Sequence, residues 1–528
     1  MPSYEELIDN PYSREVDFLD LENDIEDPDE ACLPNIERSI NMAINKKPIN
    51  EQIKPEPVKV ESETIESCDP VIDFFDEKSN DIDGLKLMHY LGRLGVSKIV
   101  DGESTSYVHV QNNLVENITE DQIIDILMRQ LEGEEKIRSV AHRDISKLFT
   151  SKKLRSIPER SVTTLRDDKD KAFLPYQNGL LEITKDGHEL IKYQDLDTLI
   201  WKHQVIGRNF RKERGGDFEL FVKNSSSYKE GGHYKLNQSE YEKKINAIGY
   251  LLHTYKDPAV KKCVILTDAS LLLEDHNMYQ VNGQTGKSSL FCEGLSKLRN
   301  LLSYDGKLTS IGGDKFAFQN IKLDHQLILF DDVSEKFKFK NLFHMVTGSM
   351  TVEGKNKTKY SIPFSTAPKI IITTNHPLER NGEGGESYIA RQHVVEFSDF
   401  YSTKRTPLMV HGKRFFDDWD ETEWARFDTF MAGCLQKYLQ AGELIQTLNR
   451  NYELKKLDCP EFIRWVEKLP LNVPHDRKDL CSAFTNEFQI EMKPTTFYSM
   501  LRQYAEIMGY EYKEQKRQQR MHVILGQK

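Results

Sequence analysis

Residues 281–290 read VNGQTGKSSL, a combination of residue types suited to holding phosphate. Gly283 and Gly286 let the backbone curl so that successive N–H groups face phosphate oxygens. Lys287 is placed to reach the β- and γ-phosphates, and Ser288 to offer a hydroxyl to Mg²⁺. Together with Gln284, Thr285 and Ser289 they form the candidate ATP-binding set, and the helix that follows would turn its positive dipole end toward the anion. The first glycine of the usual pattern, five residues before Gly286, is Val281 here. A Gly-Lys-Ser run is short enough to recur by chance, so its surroundings decide its meaning.

Those surroundings supply further chemistry. LILFDDV (residues 327–333) is an apolar run that ends in two carboxylates, the pattern of a buried strand whose tip meets a nucleotide. Asp331 would hold Mg²⁺ and Asp332 would polarise the attacking water. The plain alternative is a surface turn after a core strand. PKIIITTNHP (368–377) is a second β-branched run, and Asn375 at its end could orient water and sense the γ-phosphate. Between the two runs, Lys355, Lys357 and Lys359 alternate, so in an extended hairpin all three would project from one face and could grip a sugar–phosphate backbone. A solvated hairpin explains them equally well. Arg391, before the apolar run HVVEF, could offset charge developing on a γ-phosphate in a neighbouring subunit. Arg380 competes for that role, and a structural ion pair is the alternative for Arg391.

These residues need a scaffold. Over 251–440, short apolar strands alternate with helical stretches, which predicts an α/β domain with a parallel sheet and flanking helices. Residues 84–250 predict a mixed α+β domain. Within it, LKLMHYLGRLG has helical spacing, Thr119 and Gln122 form a capping-box signature, and Asp186-Gly187 supplies a tight turn between two strands. Residues 450–528 predict three helices and a hairpin with a basic tip, KEQKRQQR, a winged-helix-like unit suited to nucleic acid or to simple packing. Residues 1–83 hold 24 acidic against 7 basic residues, a balance of −17, which leaves +5 for the rest of a chain of net charge −12. This Pro-dotted acidic stretch predicts a disordered tail, with REVDFLDLEND and PVIDFFDEKSND as possible docking patches. No run of about 18 apolar residues occurs, so no membrane span is expected. Seven scattered cysteines without a CxxC pair argue against a zinc ribbon or disulfide framework, and for a cytoplasmic protein.

The order of NGQTGKSS, LILFDDV, VTGSMTVEGKNKTKY and PKIIITTN, packed within about a hundred residues, resembles superfamily 3 helicases. The likeness is to the primase-helicase type of phages, plasmids, integrated elements and poxviruses. The resemblance implies an AAA+-like P-loop NTPase fold, ATP and Mg²⁺ bound by Lys287, Ser288 and Asp331, and catalysis by Lys287, Asp332, Asn375 and Arg391. It further implies a lysine hairpin lining a central pore, and a homo-hexameric ring translocating 3′ to 5′ on single-stranded DNA, working beside a primase or other replication proteins. The expectation is an ATP-dependent replicative DNA helicase. The alternatives are an ATP-switched initiator binding origin DNA, or a P-loop motor for packaging or remodelling.

Overall fold

The computed structural model describes residues 70–527, apart from 102–103, 163–164, 270–284, 308–315, 356–358, 379–384, 446–448 and 518. Most of the expected acidic tail, with REVDFLDLEND, therefore lies outside the described residues. Its last part does not. Phe75–Asp76 pairs antiparallel with Asp81–Ile82, and Phe74 packs edge-on against Tyr90, with ring centroids 4.8 Å apart. Phe74 and Ile82 are buried with Leu87 and Leu91 of the helix Gly84–Arg93, which Asp83 caps. The boundary expected at Asp83 thus falls too late. An aromatic residue that looked available for docking instead enters a core, because the helix offers it an apolar face.

Beyond this hairpin, Val96–Asp101, Ser104–Gln111 and Leu114–Ile118 form an antiparallel sheet that Ile200–Trp201 extends in parallel. The helix Glu120–Gln130 begins with a reciprocal Thr119–Gln122 capping box. A three-stranded meander, Ala172–Tyr176, Gly179–Thr184 and Gly187–Ile191, turns tightly after Thr184.

The central sheet has five strands, here β1 (Cys263–Asp268), β2 (Leu301–Asp305), β3 (Leu327–Val333), β4 (Lys369–Thr374) and β5 (Gln392–Phe397). Their order is β2-β3-β4-β1-β5, and every neighbouring pair is parallel. β1 and β4 are buried along their whole length, as strands covered on both faces must be, which explains why their centres, CVIL and III, show no polar alternation. One face of the sheet packs on α1 (Gln238–Leu252) and α2 (Glu421–Ala441). A Cβ on Gly249 of α1 would fall 2.2 Å from the Cys434 carbonyl oxygen of α2, so the close approach of these helices requires glycine. The other face packs on Phe339, Leu342, Met345 and the strand pair Met350–Val352 with Tyr360–Ile362.

A short helix, α3 (Arg450–Lys455), leads into the C-terminal module. There the helices Pro460–Val466, Arg477–Phe488 and Pro494–Met508 enclose an aromatic core of Phe462, Trp465, Phe484 and Phe497. The hairpin Tyr510–Arg517 with Arg520–Gln527 acquires a third strand, His475–Asp476, too short to leave a sequence signal. No helix among the described residues is long and apolar enough to cross a membrane.

Candidate phosphate-binding site

In a parallel sheet all strands end at one edge, where an open α/β sheet receives its ligand. β1, β3 and β4 end there in Asp268, Asp331-Asp332 and Thr373-Thr374-Asn375. The segment following β1 re-enters the described residues at Thr285, so Gly283 and Gln284 lie outside them. Gly286 has φ +87°, a left-handed conformation that glycine adopts without strain. Lys287–Cys292 then winds as a π-helical turn into the α-helical turn Glu293–Ser296, with Phe291 N–H bonding back to the Gly286 carbonyl at 3.0 Å.

This backbone aims side chains at the strand tips. Lys287, 9 % exposed, donates to Asp268 Oδ1 at 2.5 Å and to Asn375 Oδ1 at 3.2 Å. Thr285 Oγ1 donates to the same Asp268 oxygen at 2.6 Å. Ser288 Oγ donates to Asp331 Oδ1. Ser289 is exposed on the following turn. Lys287, Ser288, Asp331 and Asn375, which are up to 88 residues apart in sequence, therefore share one site.

The two carboxylates of β3 are separated by a bulge. The pairing of β3 with β4 slips between Phe330 and Val333, and Asp332 takes φ +53°. Thr373 of β4 fixes this kink: its hydroxyl accepts the Asp332 N–H at 2.7 Å and donates to Asp331 Oδ1 at 2.6 Å. Asp331 consequently turns toward Ser288, while Asp332, its side chain 53 % exposed, turns outward to an ion pair with Lys307. The Asp332 carboxylate raises the pKa of that lysine by accepting its hydrogen bond.

The remaining expected residues stand elsewhere. Arg391 precedes β5 and its carbonyl accepts the N–H of Cys263, the first residue of β1, so it lies at the opposite edge of the sheet from the phosphate loop. Its guanidinium donates to the Ser387 carbonyl and lies 4.7 Å from the Phe343 ring centroid. Within one chain it does not reach Lys287. Lys355 and Lys359 are exposed in the link between Met350–Val352 and Tyr360–Ile362, and Lys357 lies outside the described residues. The strands end before these lysines, so period-two alternation does not set their direction as expected from the sequence. Arg380 also lies outside the described residues.

Three participants had no assigned role in the sequence reading. Asp268 ends the apolar run CVILTD just as Asp331 ends LILF, so the same rule could have found it. Thr373 was visible only as part of a strand end. Lys307 is the second residue of the turn after β2 and carries no recognisable signal.

Chemically, the site combines a buried ammonium, a hydroxyl paired with a carboxylate, and a side-chain amide, all beside a helix start. These groups suit a phosphate chain with a divalent cation. Among the described residues no group of three or more His, Cys, Asp or Glu side chains could hold a metal by itself. Mg²⁺ characteristically takes only one or two protein ligands and completes its shell with phosphate and water, so Ser288 and Asp331 fit it.

Comparison with known proteins gives the following. The model of a family of unknown function (DUF5906) matches residues 279–391, the stretch from the phosphate loop to Arg391. No curated protein matches this chain. Among solved structures, the A form apo structure of the NrS-1 C terminal region is similar at 13% identity and a TM-score of 0.37, covering 84% of this chain and 100% of that one. An apo structure of the same region is similar at 12% identity and a TM-score of 0.38, with the same coverage. Likeness at that level carries no functional argument.

Proposed function

We propose that this chain is an ATP-hydrolysing DNA helicase or translocase serving the replication of a phage or other mobile element. On this reading 251–440 is an AAA+-like P-loop NTPase domain and 450–528 a winged-helix-like module. One observation carries it: Lys287, Ser288, Asp331 and Asn375 meet at the carboxyl ends of parallel strands ordered β2-β3-β4-β1-β5. A buried lysine beside a hydroxyl–carboxylate pair has a clear use if phosphates and a cation come between them.

On ATP binding, Lys287 would exchange Asp268 for phosphate oxygens, and Asn375 would stay close enough to orient water. Ser288 and Asp331 would hold Mg²⁺, which when bound supplies charge neutralisation to the phosphates. Asp332 is the carboxylate free to turn inward and polarise the attacking water, once Lys307 releases it. Water then adds to the γ-phosphorus, the bond to the β-phosphate oxygen breaks, and ADP and phosphate leave. Arg391, at the far edge of its own sheet, would act on the site of a neighbouring subunit in a ring. Lys355, Lys357 and Lys359 would contact the DNA backbone, and hydrolysis would move their link along the strand.

The test is ATP hydrolysis with and without single-stranded DNA, paired with strand displacement on forked DNA. The expected result is DNA-stimulated hydrolysis and unwinding, both lost in Lys287→Ala. Hydrolysis indifferent to DNA, with no strand displaced, would overturn the helicase assignment.

A further inference from the structure

Helix α3 connects the central domain to the C-terminal module, and its last residue reaches the phosphate site from behind. Lys455, 4 % exposed, donates to the backbone carbonyl of Asp268 at 2.8 Å. That carbonyl is its only hydrogen-bond partner among the described residues, so two of the three ammonium donors are unused. Across the same residue, Asp268 Oδ2 is buried and has no partner among the described residues. An ammonium with donors to spare and a carboxylate oxygen without a partner thus meet at one amino acid, and the charge of Asp268 acts on Lys455. The carboxylate's other oxygen already serves Lys287 and Thr285. Burial lowers the Lys455 pKa to about 8, opposed by Glu396 and Asp268.

The same helix is also fastened to the segment after β4 and to β5. Tyr452, fully buried, accepts the Leu378 N–H through its hydroxyl at 3.1 Å, three residues past Asn375. Asn449, at the N-cap position of the helix, donates its side-chain amide to the Val394 carbonyl of β5 at 2.9 Å. On its other side, Leu454 and Leu457 belong to the core of the C-terminal module.

We propose that Lys455 is a positioning residue of the phosphate site, supplied by the C-terminal connection: it takes over the Asp268 carboxylate when Lys287 leaves for bound phosphates. Without it, nucleotide binding would strand a buried carboxylate with one hydroxyl for company, and an uncompensated buried charge is strongly unfavourable. With it, the charge passes from one ammonium to another, and α3 registers whether the site is full. This inference rests on the phosphate-site reading given above.

The experiment is equilibrium binding of ADP with Mg²⁺ to the full chain, in a double-mutant cycle of Lys455→Met and Asp268→Asn. With Asp268 present, Lys455→Met should raise Kd about tenfold or more. With Asp268→Asn, where no charge is stranded, it should change Kd less than about twofold. Lys455→Arg, which keeps the charge, should recover most of the affinity. Asp268→Asn alone should bind as tightly as wild type or tighter, a readout that stands even if Lys455→Met does not fold. An equal effect of Lys455→Met in both backgrounds, or weaker binding by Asp268→Asn alone, would overturn the proposal. Wild-type protein that binds no Mg·ADP at millimolar concentration would overturn the phosphate-site reading and this one with it.

Discussion

Replacing Thr373 by valine tests whether one hydroxyl holds the acidic pair in two different directions. Valine keeps the shape of threonine in β4 and removes both hydrogen bonds of its hydroxyl, to the Asp332 N–H and from Asp331. The bond to the carboxylate is charge-assisted and is worth about 1.5–3 kcal/mol net, and the neutral one about 1 kcal/mol. Asp331 retains Ser288, and water can reach the exposed side of Asp332, so the loss should fall near the lower end, about 2–3 kcal/mol. It acts on a residue already at φ +53°, where a non-glycine backbone is held against a preference of about 1–2 kcal/mol. Freed of Thr373, the bulge should relax and leave Asp331 held by Ser288 alone, less sharply oriented toward the metal position. Residues that orient a metal ligand typically change metal affinity or activity by about 10–100-fold when lost. The assay is ATP hydrolysis as a function of Mg²⁺ concentration. Thr373→Val should raise the half-saturating Mg²⁺ or lower kcat within that range, while Thr373→Ser stays close to wild type. A Thr373→Val protein with wild-type Mg²⁺ dependence and kcat would refute the reasoning.

Two further outcomes follow from the structure. His393 is buried in β5, and burial first, then Lys243 and Lys262, lowers its pKa to about 3, so it folds neutral. Its folded value lies below the unfolded 6.5, so the stability it permits is complete above pH 6.5 and is lost as pH falls toward 3, by at most about 1.4 kcal/mol per pH unit. Urea midpoints between pH 7 and 5 should fall less steeply in His393→Leu than in wild type; parallel slopes would contradict this. If Arg391 serves a neighbouring subunit, mixing inactive Lys287→Ala and Arg391→Ala chains should restore part of the ATPase activity, because mixed interfaces pair an intact loop with an intact arginine. No recovery on mixing would leave Arg391 a structural residue bonded to the Ser387 carbonyl.

What the sequence disclosed, and what it hid, follows from the range of the interactions. Asp331 and Asn375 were legible because each ends a strand-like run whose apolar pattern is local, and Lys287 because it belongs to a short glycine-bearing loop pattern. Asp268 ended such a run too, but gains its meaning only from Lys287, which the fold brings to it across 19 residues. Lys307 and Lys455 carry no pattern of their own, and only three-dimensional proximity gives them partners. The lysines of 355–359 show the reverse error: alternation is a valid guide inside a strand, but pairing stops at Val352 and resumes at Tyr360. PVIDFFDEKSND reads as an acidic–aromatic docking patch, yet Phe74 is buried because Leu87 and Tyr90 wait 13 and 16 residues away. Strand order was not readable at all, since β1 lies between β4 and β5 through contacts spanning more than a hundred residues.

The central claim is that Lys287, Ser288, Asp331 and Asn375 converge to hold a triphosphate. A crystal structure of the chain with a non-hydrolysable ATP analogue and Mg²⁺ tests it most directly. The account predicts the β- and γ-phosphates within hydrogen-bond distance of Lys287, the metal beside Ser288 and Asp331, and Asp268 relinquished by the lysine. Analogue bound away from the ends of β1, β3 and β4, or Lys287 still paired with Asp268 while the site is full, would contradict it.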